Sequence, residues 1–154
     1  MIGSVSEPFD LDRTYVHLGL GASAETIADF RWDDEYLEQY TAAHVGDGDE
    51  GRIVMIGDTA ATWTSWERHP AGDEVVILLS GRVSLVQEID GQEQRSELYG
   101  GQAIVNPAGV WHTCDVHEPG KALYITPGRG TEHRPRSAPI GPAADASAGE
   151  QPSD

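Results

Sequence analysis

The stretch Glu74–Leu98, EVVILLSGRVSLVQEIDGQEQRSEL, decides the fold. Five of its first seven residues, Val75 to Leu79, are apolar and three of them are β-branched, a run that suits a buried strand. Gly81 breaks the run and supplies a turn. Arg82 to Ile89 then alternates apolar with polar residues, the period-two pattern of a strand with one face covered. Asp90-Gly91 is a strong hairpin signal, because both residues tolerate the positive φ of a tight two-residue turn. Gln94 to Leu98 returns as the partner strand.

The same grammar continues on both sides. Upstream, Arg52 to Ile56 and Ala61 to His69 read as strands; downstream, so do Ala103 to Val105, Val110 to Val116 and Ala122 to Thr126, with an NPAG turn at Asn106 to Gly109. Many short strands at this spacing predict an all-β sandwich or barrel over residues 51–130. Residues 1–50 read as an extension packing on it. There Thr14 to Leu20 suits a strand, and Trp32 to His44 suits a short helix with Asp33 or Asp34 as its cap. The GDGDEG run at Gly46 to Gly51 reads as a turn and lacks the ligand spacing of an EF-hand. Residues 131–154 are rich in Pro, Ala and Gly and read as a disordered tail. Its opening GRGTEHRPR, Gly128 to Arg136, reads as a solvated, charge-balancing segment, with a clamp on an acidic surface as the alternative.

Composition narrows the function classes. The 154 residues allow one domain. Acidic residues number 26 against 10 basic, for a formal net charge of −16, and Lys121 is the sole lysine. Such a chain repels phosphate backbones and anionic lipid, so neither nucleic acid nor a membrane surface is an expected partner. Cys114 is the sole cysteine, which excludes an intrachain disulfide and fits a reducing cytoplasm. The first residues lack the pattern of a secretory signal, and no apolar stretch approaches the length of a membrane span.

Chemistry gathers at a few positions. Read as a strand, Trp63 to His69 puts Trp63, Ser65, Glu67 and His69 on one face and Trp66 and Arg68 on the other. Glu74 opens the next strand beside them, and His112 follows a Pro-x-Gly turn. Imidazole nitrogens with carboxylate oxygens suit one divalent ion of iron, manganese, zinc or nickel. By the same parity Trp63 and Ser65 line an interior pocket, and Cys114, two residues after His112, borders it or packs in the core. Trp66 and Trp111 should face outward, a surface on which a homodimer would form. His17, His44 and His117 have no ligand spacing and read as surface groups.

Two linked motifs carry a family resemblance. HPAGDEVVILLSG contains His69, Glu74 and Gly81 at the spacings of the second half of a G-x5-H-x-H-x3,4-E-x6-G motif. GQAIVNPAGVWH contains Gly101, Pro107, Gly109 and His112 at those of G-x5-P-x-G-x2-H-x3-N. With 19 residues between Gly81 and Gly101, the chain resembles the cupin superfamily. The pattern is broken at three positions: Glu67 replaces the first histidine, Ala61 a glycine, and Val116 the final asparagine.

The resemblance implies a single jelly-roll (double-stranded β-helix) barrel holding a metal ion at Glu67, His69, Glu74 and His112, with a small-molecule ligand inside. Glu67 is either a fourth ligand, a bystander, or a free general base and thus a catalytic residue. The implied activity is dioxygenase-, isomerase- or lyase-type chemistry on a small organic acid or carbonyl compound. The alternatives are a ligand-binding or sensor barrel without catalysis, and a barrel without metal.

Overall fold

The structure is a computed structural model that describes residues 7–137. Eleven strands and one α-helix are formed among them. In chain order the strands are β1 (Thr14–Gly19), β2 (Ser23–Ala28), β3 (Arg52–Thr59), β4 (Ser65–Arg68), β5 (Glu74–Leu78) and β6 (Arg82–Ile89). They continue as β7 (Gln92–Tyr99), β8 (Ala103–Asn106), β9 (His112–Glu118), β10 (Gly120–Thr126) and β11 (Glu132–Pro135). Helix α1 (Asp34–Ala43) lies between β2 and β3, and the Asp33 side chain caps it by accepting from the Tyr36 amide.

The strands form two antiparallel sheets. One has the order β2-β1-β3-β10-β5-β8, the other β11-β4-β9-β6-β7. Neighbours such as β3 and β10, or β6 and β9, are distant in sequence, the arrangement of a jelly roll rather than a chain of hairpins. The hairpin expected at Asp90-Gly91 joins β6 to β7, with φ of 53° and 75° at the two turn residues.

The apolar core lies between the sheets. Val76 and Leu78 of β5, Val83 and Leu85 of β6, Leu98 of β7, Cys114 of β9 and Ala122 of β10 meet there, with Trp63 from the loop before β4. Strand β5 shows how the site arises from this packing. Its odd-and-even alternation buries Glu74 on the same face as Val76 and Leu78. A carboxylate is thereby carried into the barrel by the strand that builds the core.

Several expectations change. Ser23–Ala28, a segment to which the sequence reading assigned no element, is β2, paired along its whole length with β1. The segment read as solvated forms β11, which adds to β4 with Glu132 opposite Arg68 and His133 opposite Glu67. Its arginines have partners: Arg134 bonds Glu88, and Arg136 lies 2.6 Å from Asp115. The remainder expected as a tail, from 138 onward, lies outside the described residues. Trp66 and Trp111 do face away from the core, but Trp66 is buried, with the Arg134 guanidinium 5.1 Å from its ring and 4.6 Å from that of Trp111. Trp111 remains half-buried. His17, expected at the surface, is 5% exposed. No helix among the described residues is long and apolar enough to cross a membrane.

Candidate metal centre

Four side chains from three strands and a turn converge inside the barrel. Glu67 comes from β4, His69 from the residue after it, Glu74 from the start of β5, and His112 from the start of β9. Each offers a nitrogen or carboxylate oxygen within 4.8 Å of the others, and all four are buried. The register explains the convergence: Glu67 stands directly opposite His112 on adjacent strands, so both side chains emerge on the same face.

The distances fit a shared cation. His69 Nε2 lies 3.2 Å from both Glu67 Oε1 and Glu74 Oε2. His112 Nε2 lies 3.3 Å from Glu67 Oε1 and 3.4 Å from Glu74 Oε1. Donors that each stand about 2 Å from one ion are ~3.0–3.4 Å from one another. His69 Nε2 is buried close to two carboxylates yet aligned for hydrogen bonding to neither. A buried nitrogen in that position faces the space the four groups share.

The outer contacts set both imidazoles for ligation. The Thr131 hydroxyl donates to the Gly128 carbonyl and accepts, at 2.9 Å, from His69 Nδ1. His112 Nδ1 faces the Val110 carbonyl at 3.3 Å, an oxygen that only accepts. Each ring thus spends Nδ1–H outward and keeps Nε2 for the centre. Glu74 is held twice: Asn106 donates to Oε1 at 2.9 Å and Thr126 to Oε2 at 2.7 Å, with Gln87 donating in turn to Asn106 at 2.8 Å. Glu67 turns Oε1 toward the two histidines, while Oε2 lies 3.2 Å from His133 Nε2 on β11.

The electrostatics follow from two buried carboxylates with no arginine or lysine among their contacts. Burial by itself would push a proton onto Glu67, but the His112, His133 and His69 imidazoles beside it outweigh this and hold the carboxyl well below its ordinary range. Burial would likewise strip His69 of charge, yet Glu67 and Glu74 reverse this and raise the imidazole to about 10. Without a cation, the pocket holds a proton in its place. A divalent ion held there would supply the charge that the two carboxylates lack.

The remaining sequence-derived candidates sit close by with different surroundings. The Trp63 ring lies 6.1 Å from that of His112, at the boundary of core and site. The Ser65 carbonyl accepts from the Thr113 hydroxyl. Cys114 is packed in the apolar core, where burial pushes its thiol up to about 12. None of these three lines the cavity of about 300 Å³ that reaches His69. That cavity is walled by Phe30, Trp32, Leu37 and Tyr40 from α1 and the segment before it and by Ile53 and Met55 of β3. Residues Asn106, Thr126, Thr131 and His133, which hold three of the four ligand candidates, were also missed. Asn106 lay in plain view in the NPAG turn; the rest had no spacing signal.

The two-sheet topology, the two motif halves and the four buried donors agree with the resemblance to cupins read from the sequence. Among solved structures, the chain is similar to a cupin-2 domain protein from Shewanella frigidimarina at 25% identity, covering 49% of this chain and 70% of that one with a TM-score of 0.43. It is also similar to the hydroxypropylphosphonic acid epoxidase from S. wedmorenis, at 15% identity over 49% of this chain and 43% of that one, TM-score 0.42. A hydroquinone 1,2-dioxygenase from Sphingomonas sp. with 4-hydroxybenzoate bound shows 14% identity over 49% and 58% of the respective chains, TM-score 0.41. The chain spans less than half of the epoxidase, and these likenesses transfer no activity to it. No family model and no curated protein matches the sequence.

Proposed function

We propose that Glu67, His69, Glu74 and His112 hold one divalent transition-metal ion, and that the barrel acts on a small organic acid or carbonyl compound in the adjoining cavity. The observation that carries this reading is the convergence of four buried donors at 3.2–3.4 Å, with His69 Nε2 lacking a hydrogen-bond partner. The ion would bind substrate oxygens and stabilise negative charge developing on them, which suits dioxygenase-, isomerase- or lyase-type chemistry. The protein's own residues supply the rest. Thr131 and Val110 fix the imidazoles, Asn106 and Thr126 fix Glu74, and the apolar walls exclude water from the ligand. Both oxygens of Glu67 are engaged, which favours a ligand role over that of a free base.

Elemental analysis of protein purified without added metal tests the proposal. About one ion per chain is expected in the wild type, and His112→Ala should lose it while remaining folded. A wild type free of metal even after incubation with iron, manganese, zinc and nickel would sink the reading. A screen of hydroxy acids and carbonyl compounds, followed by oxygen uptake and product analysis, then separates catalysis from simple ligand binding.

A further inference from the structure

The cavity that reaches His69 carries a second set of polar groups, all from the N-terminal extension. His17 on β1 places Nε2 2.7 Å from Asp47 Oδ2, and its Nδ1 is hydrogen-bonded to the Tyr40 hydroxyl of α1. Asp47 is itself aimed, because its Oδ1 accepts from the Leu20 amide at 3.0 Å. A carboxylate only accepts, so Nε2–H of His17 donates to Asp47, and Nδ1 accepts from Tyr40. The Tyr40 oxygen is left with lone-pair capacity for one further donor. The rings of both His17 and Tyr40 line the cavity.

Space has been cleared for this chain of groups. A Cβ at Gly19 would stand 2.9 Å from both carboxylate oxygens of Asp47, and one at Gly51 would stand 3.1 Å from His17 Cε1. Any larger residue at either position would displace the His17–Asp47 pair. Around the polar groups the walls are aromatic and aliphatic, from Phe30, Trp32, Leu37 and Met55. A volume of about 300 Å³ exceeds what one unsubstituted ring needs, since an apolar cavity of ~150 Å³ accepts benzene.

We propose that this cavity binds a single-ring aromatic compound bearing a hydroxyl group, and that the ligand hydroxyl donates to Tyr40 at the end of the Asp47–His17–Tyr40 chain. This narrows the small organic acid or carbonyl compound proposed above to one built on a phenolic ring, and rests on that reading only for what happens to the ligand afterwards. The ring packs against Phe30 and Trp32, and ring substituents can extend toward His69. Burial, reinforced by Glu25, Tyr36 and Asp47, raises the Tyr40 phenol above its ordinary range, so it remains a neutral hydroxyl that both donates to His17 and accepts from the ligand.

Titration calorimetry on the full chain, with phenol and anisole as probes, tests the assignment. Anisole keeps the ring and oxygen but has no proton to donate. Phenol is expected to bind the wild type about tenfold more tightly than anisole, and Tyr40→Phe should reduce that ratio to about one while still binding anisole. Equal affinity of the wild type for the two probes, or an unchanged ratio in Tyr40→Phe, overturns the proposal; the first comparison needs no variant. Metal loading without phenol preference would reject this inference alone, and phenol preference in a protein that takes up no metal would reject only the metal centre.

Discussion

Gly81 and Glu67 illustrate how far single residues govern this barrel. Gly81 has φ of 86°, and a Cβ there would stand 2.5 Å from the Glu118 carbonyl, so the turn between β5 and β6 admits no side chain without a backbone shift. Gly81→Ala is therefore expected to destabilise the protein by about 1–3 kcal/mol in urea unfolding, and an unchanged midpoint would contradict the close approach. Glu67 stands where the motif has histidine. Its second oxygen needs a partner once the first faces the imidazoles, and His133 provides it. Sequence showed Glu67 as a departure, yet its spacing gave no hint of the residue that accommodates it.

Strand β11 is the element whose role changes most between sequence and structure. Its composition offers little to bury, but it gains order by pairing with β4 and by placing arginines over tryptophans and against acids. It also delivers His133 to Glu67. His133→Ala is expected to weaken metal binding about 10- to 100-fold in a competitive chelator titration, the usual cost of losing a group that orients a ligand. Asp115 reports the docking of this strand through pH. Burial would raise its pKa, but Arg136 and Arg95 outweigh that and lower it. The folded state thus binds this proton less readily than the unfolded chain, so the contribution is present above about pH 4 and lost as pH falls through the lowered value. The stability difference between wild type and Asp115→Asn should be constant from pH 7 to 5 and shrink below about pH 4 in urea unfolding. A difference that grows on acidification would reverse the assignment.

At the scale of the whole molecule, one core between two sheets sets the positions of everything else. Leu78 is 1% exposed at its centre and lies on the inward face of β5, two residues beyond Val76 and four beyond Glu74. Leu78→Ala should cost about 2–5 kcal/mol in chemical denaturation, while a cost under 1 kcal/mol would mean that the sheets close without this contact. The N-terminal extension adds the cavity that neither sheet makes alone. Tyr15, Phe30, Trp32, Tyr36 and Tyr40 pack there as a run of tilted and edge-on rings, for example at 4.7 Å between Phe30 and Trp32. This cluster holds α1 against the barrel and leaves His17 buried beneath it.

The order of residues by itself determined the all-β class, the hairpin at Asp90-Gly91, the helix near Asp34 and the four ligand candidates. Those features rest on local chemistry: alternation places side chains on a face, glycine permits a turn, and motif spacing counts residues along one strand. Tertiary structure alone decided that Thr126, Thr131 and His133 hold the ligand candidates, that Ser23–Ala28 and Glu132–Pro135 are strands, and that His17 is buried in a cavity wall. Each of these depends on pairing with a distant segment. Polar edge strands acquire their conformation from the partner's open hydrogen bonds rather than from their own side chains, so no local pattern announces them.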